Sequence, residues 1–149
     1  DENSTQWWPG VASLCRDHAT QLFRFPNDKE KLQKIPADYY LFLSWKFIMP
    51  NELLALPRYG ALNLHYSLLP AYRGVYPVNQ AIIQGERETG VTFHWVTSDV
   101  DNGPILCQKK VSISLADTAR SLQLRMDEMA QSLFEQAIDE IVAKPAVPS

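Results

Sequence analysis

Apolar residues recur along the chain with two different periods, and the alternation between them outlines the fold. Val11 to His18 carries apolar residues at helical spacing, and "TQLFRF" (Thr20 to Phe25) then reads as a short aromatic-rich strand. "NDKEKLQKI" opens with a capping Asn27 or Asp28 and predicts a second helix, after which "DYYLFLSW" (Asp38 to Trp45) is again β-prone. "PNELLALPRYG", capped by Asn51 and closed by Pro57 and Gly60, predicts a third short helix leading into a strand over Ala61 to His65. Strands alternating with helices predict an α/β domain with parallel pairing.

The second half has a different rhythm. "PVNQAIIQG" (Pro77 to Gly85) has Pro in its first turn and Gly after its last, the expected asymmetry of a short helix. "TGVTFHWVT" and "ILCQKKVSI" alternate as strands do, and the "SDVDNGP" between them contains an Asn-Gly turn signal. From Thr118 to Val142, Leu122, Met126, Met129, Leu133, Phe134, Ile138 and Ile141 fall on one face of a long closing helix. "KPAVPS" reads as a tail, so the expected organisation is one domain over 1–144 and a tail over 145–149.

Composition narrows the function classes. With 149 residues and 46% hydrophobic content the chain can bury one respectable core. A formal charge of -3 and a pI near 5.6 supply no basic field for non-specific nucleic-acid binding. Cys15 and Cys107 lie far apart, which favours a reduced, cytoplasmic protein, and no apolar run reaches the length of a membrane span. The sequence opens "DENSTQWWPG" without an initiator methionine, which reads as a fragment.

Candidate chemistry centres on "ALNLHYSLLPAYRG" (Ala61 to Gly74). Asn63 and His65 share one face of a strand at its carboxyl end, where α/β sheets place their ligands. Asp101, in the loop between two later strands, can reach a neighbouring strand end, fix an imidazole and raise its pKa for acid–base work. An adjacent amide N–H can stabilise an oxyanion, so the three residues form a tool for attack on a carbonyl carbon. No protein nucleophile accompanies them: Ser67 lacks a G-x-S-x-G elbow, and no zinc-ligand spacing surrounds His65, His94 and Asp101. His94, between Phe93 and Trp95, reads as structural, and His18 as a partner of its helix C-terminus. The nucleophile is therefore expected to arrive with the substrate.

"NLHYSLLPAYRG", Pro77, "AIIQGERETGVTFH" and "DNGPIL" together resemble the folate-dependent formyltransferases, in that family's order and spacing. The resemblance implies a Rossmann-like, mostly parallel sheet with flanking helices and a long C-terminal helix. It also implies a strand, loop and helix ahead of the region matching Asp1, which this chain is expected to lack. That absence would leave a sheet flank to be covered by a missing N-terminal segment or by strand pairing in a homo-oligomer.

The implied activity is transfer of the formyl group of 10-formyltetrahydrofolate to a primary amine, without a metal and without an acyl-enzyme. Asn63, His65 and Asp101 match the family's catalytic residues. Asn63 and a protonated His65 would stabilise the oxyanion, and Asp101 would orient His65 and help remove the amine proton. Folate is expected against Lys46, Phe47 and Ile48, with Thr97, Ser98, Asp99 and Val100 opposite. Arg73 is expected to engage an anionic part of the acceptor, with Ser67 and Tyr76 as further substrate contacts. The expected acceptor is a small amine such as a nucleotide-linked amino sugar, with methionyl-tRNA as runner-up. A folate-binding module or inactive remnant without turnover is the alternative from another class.

Overall fold

The computed structural model describes residues 11–43, 45 and 47–145. The chain divides into two units, residues 1–36 and 37–149.

In the first unit, α1 spans Val11–Asp17 and α2 spans Lys29–Leu32. The strand expected over Thr20 to Phe25 is absent: the run is irregular and then turns. Its backbone bonds locally. Thr20 N–H donates to the Cys15 carbonyl, Arg24 N–H donates to Asp28 Oδ2, and Asp28 N–H donates to the Arg24 carbonyl. β-prone side chains do not make a strand when a nearby carboxylate and turn satisfy the backbone first. Asp28 stands at the N-cap of α2, but its side chain holds Arg24 N–H and Lys31 Nζ and caps nothing.

The second unit holds a four-stranded sheet in the order β1-β2-β3-β4, with β1 Tyr40–Leu43, β2 Ala61–His65, β3 Glu88–Trp95 and β4 Ile105–Ser112. β1 and β2 pair in parallel across a connection containing α3, Asn51–Leu54; Pro50 holds the N-cap position expected of Asn51. β2 with β3 and β3 with β4 are antiparallel, so among the described strands the sheet is mixed rather than mostly parallel. The short connection over 96–104 explains the last pairing, since a parallel crossover needs a dozen or more residues. The Rossmann-like class, with flanking helices and a long terminal helix, stands.

Alternation sorts the two sheet faces. Leu62 and Leu64 of β2, and Val91, Phe93 and Trp95 of β3, are buried in one core with the inner face of α5, Ala119–Ala143. That face presents Leu122, Met126, Ala130, Leu133, Ala137 and Ile141, with Met129, Phe134 and Ile138 packed at its margins. The helix α4, Pro77–Ile83, adds Val78 to the same core. The opposite face of β2 and β3 carries Asn63, His65, Thr92 and His94, and register sets Asn63 beside His94 and His65 beside Thr92. No helix among the described residues is long and apolar enough to cross a membrane.

Candidate active site

Four side chains from three segments converge on the polar face of the sheet. Asn63 Nδ2 donates to Asp101 Oδ1 at 3.2 Å. His65 Nδ1 lies 3.4 Å from Asp101 Oδ2, and His94 Nε2 lies 3.3 Å from Asp101 Oδ1. Gly74 N–H donates to Asp101 Oδ2 at 2.9 Å. The structure thus brings Asn63, His65 and Asp101 together and adds His94, which sequence reasoning took as structural. The signal for His94 is the β2–β3 register, which no local pattern displays. Opposite the Phe93–His94 step the register shifts by one residue, because β4 pairs through Cys107 and Ile105 and skips Leu106.

Asp101 is held there by its turn. It adopts a left-handed φ of 47°, which Asp tolerates better than most residues. Gly103 lies against the Trp95 carbonyl so closely that a Cβ would fall 1.8 Å from the oxygen.

The loop after β2 grips the site through its main chain. The Tyr72 carbonyl accepts from His65 Nε2 at 2.8 Å, and Gly74 supplies its N–H to Asp101. Thr92 Oγ1 braces this loop by donating to the Ser67 carbonyl while accepting from Leu69 N–H and Gln108 Nε2. Gln108 Nε2 also donates to the Leu69 carbonyl. Ser67 belongs to this framework: its hydroxyl is fully buried and donates to the Ala71 carbonyl at 2.6 Å, so it is not available as the substrate contact expected from the sequence.

Protonation follows from these contacts. Burial works to raise the Asp101 pKa, but hydrogen bonding to His94 and Gly74 and the proximity of His65 outweigh it and hold the carboxyl at about 2. Burial pushes the His65 imidazolium down, although the Tyr72 carbonyl and Asp101 favour the proton. This direction works against the protonated His65 expected from the sequence.

Asn63 Nδ2, Asp101 Oδ1 and His94 Nε2 form a nearly equilateral triangle with sides of 3.2, 3.2 and 3.3 Å. The two acceptors subtend roughly 60° at the amide nitrogen, half of the roughly 120° between the hydrogens of a planar amide. Both acceptors therefore lie within reach of the same amide nitrogen.

A cavity of about 410 Å³ opens beside this cluster. Asn63, His94 and Asp101 line it, but His65 does not. Phe47 and Ile48 form part of one wall, and Thr97, Ser98, Asp99 and Val100 another, so these sequence-predicted residues share one cleft with the polar cluster. Lys46 lies outside the described residues. Phe42 and Trp45 also line the cleft, with ring centroids 5.9 Å apart, and Trp45 and Phe47 are 5.6 Å apart. Arg73 and Tyr76 are exposed on the loop and do not line the cavity, whereas Gly74 and Val75 do. Among the described residues, no group of three or more His, Cys, Asp and Glu is arranged to hold a metal ion.

The formyl transferase family profile matches residues 18–138. The chain is 37% identical over 123 residues to the methionyl-tRNA formyltransferase of Thermosynechococcus vestitus, covering 83% of this chain and 37% of that protein. It therefore spans well under half the length of this curated relative. Phosphoribosylglycinamide formyltransferase from Bacillus halodurans is similar in structure, with a TM-score of 0.82 at 26% identity over 93% of this chain and 78% of that one. WlaRD, a sugar 3N-formyl transferase crystallised with dTDP and 5-N-formyl-THF, gives 0.78 at 25% identity over 96% and 50%.

Proposed function

The chain belongs to the formyl transferase family, and we propose that it carries the machinery for moving a formyl group from 10-formyltetrahydrofolate to a primary amine. The observation that carries this reading is the joining of the Asn63–Asp101–His94 cluster to a cleft with an aromatic wall. The folate ring system would lie in that cleft, its flat faces against Phe42, Trp45 and Phe47 and its polar edge against the main chain near Ile48 and Thr97 to Val100. A formylated folate bound to WlaRD supports this ligand class.

The acceptor nitrogen attacks the formyl carbon, the carbonyl electrons move to oxygen, and the Asn63 amide N–H stabilises the charge that develops there. Asp101 attracts the proton of the attacking nitrogen. His65 is anchored by the Tyr72 carbonyl, with its Nδ1 3.4 Å from Asp101 Oδ2. Because the acceptor is the nucleophile, no serine or cysteine is required.

A small amine such as a nucleotide-linked amino sugar is the acceptor this reading favours, with Arg73 available at the loop for an anionic group and Tyr76 for an apolar or flat one. A methionyl-tRNA acceptor is the second reading, favoured by the Thermosynechococcus relative. Incubating the full-length protein with 10-formyltetrahydrofolate and each acceptor class, and following tetrahydrofolate release, tests the function. Release dependent on an amine supports it; folate binding with no release for any amine would establish a binding module instead.

A further inference from the structure

His94 makes two contacts that fix its chemistry. Its Nδ1 lies 2.9 Å from the Trp95 carbonyl oxygen, an atom that only accepts, so Nδ1 carries the proton and Nε2 of the neutral ring presents a lone pair. That lone pair faces Asp101 Oδ1 at 3.3 Å, with Asn63 Nδ2 3.2 Å from each of them. A proton on Nε2 makes this contact the charge-assisted hydrogen bond that helps to hold the Asp101 pKa down, and its departure leaves Nε2 bare. The place is nearly closed to bulk water, since His94 is 2% exposed, yet it lies on the cleft wall. The titratable groups facing it are His65 on β2, with ring centroids 6.4 Å apart, and Asp101 and Asp99 in the β3–β4 loop; across β4 its pairing partner is the uncharged Ile105.

We propose that His94 is the proton carrier of the transfer step: its Nε2 takes the proton of the attacking amine through Asp101 Oδ1 and returns it to the departing folate nitrogen. This rests on the formyl-transfer reading. The step balances within the two substrates. The amine nitrogen bonds to the formyl carbon and gives up one proton to the Asp101–His94 pair. The oxyanion then re-forms its carbonyl, the bond from carbon to N10 breaks, and N10 leaves with that electron pair and receives the stored proton. No outside acid, base or oxidant enters.

Two comparisons select His94. A carboxylate that accepts from Asn63 Nδ2 and Gly74 N–H orients and passes a proton, whereas the bare imidazole nitrogen on the cleft wall is the stronger base and can store it. His65 is the other imidazole, but its nitrogens face the Tyr72 carbonyl and Asp101 and it does not line the cleft. Proton uptake at His94 also removes the Nε2 lone pair as an acceptor for Asn63 Nδ2, leaving that amide more of its donor capacity for the oxyanion. Charge removal and oxyanion stabilisation are thereby coupled.

The test is the full-length His94→Gln variant, assayed with 10-formyltetrahydrofolate and the amine the wild type uses best. Expected is a fall in kcat of about 100-fold or more, KM values within about twofold, and a changed shape of the pH profile of kcat. A kcat near wild type, or a profile of unchanged shape, overturns the carrier. Independently of folding of the variant, nitrogen NMR of histidine-labelled wild type should show Nδ1 protonated and Nε2 bare at alkaline pH, with Nε2 titration displaced by Asp101→Asn. An Nε2–H neutral tautomer also overturns it. Inactivity of the wild type with every amine would sink the formyl-transfer reading and the carrier together, whereas an active wild type with an indifferent His94→Gln sinks the carrier alone.

Discussion

At Asp101 a single carboxylate is approached by an amide, a backbone N–H and two imidazoles. Replacing it by Asn keeps the volume and some hydrogen bonds but removes the charge that, on the proposed function, attracts the amine proton. Asp101→Asn is therefore expected to lower turnover by about 100-fold or more while folate affinity, measured by titration calorimetry, stays near wild type. Gly103→Ala probes the same turn sterically. A Cβ there meets the Trp95 carbonyl, and the variant is expected to lose on the order of 1–3 kcal/mol in urea unfolding, with turnover falling as Asp101 shifts. Asn63, His65 and Asp101 were legible in the sequence because strand alternation and a turn signal are local patterns. His94 was not, because its role depends on a neighbouring strand whose register only the fold defines.

Among the elements, α5 was the most legible, since a 25-residue apolar stripe leaves little room for another reading. Thr118 and Ser121 form a reciprocal cap: each side-chain oxygen accepts from the other residue's N–H. Thr118→Ala should cost about 1 kcal/mol, read as a shift in thermal or urea midpoint. Met126→Ala, at a fully buried position, should cost about 2–5 kcal/mol, and equal losses for the two variants would contradict this packing hierarchy. "TQLFRF" shows the opposite case. Its composition favours a strand, but Asp28 captures the Arg24 amide four residues away, a competition that composition does not report. The antiparallel half of the sheet was equally hidden behind the helix–strand alternation of the first half, although the short β3–β4 connection gave it away.

For the whole molecule, the buried polar face makes stability depend on pH. His65 has a folded pKa below its ordinary value, so the unfolded chain binds its proton first, and stability present above about 6.5 declines as pH falls below it. Asp101, lowered from 3.8 to about 2, adds a second loss in the same direction between those values. Thermal midpoints should thus fall on acidification from pH 7.5 to 5, and His65→Asn should flatten that slope; an unchanged slope would exclude His65 as its source.

Tyr72 and Gly74 touch the reactive groups only with a carbonyl and an amide hydrogen, atoms that every amino acid except proline supplies. The exposed side chain of Arg73, between them, consequently has no part in these contacts. On the proposed function, a protein engineer varying position 73 would retune which amine is welcomed while those main-chain contacts stay in place.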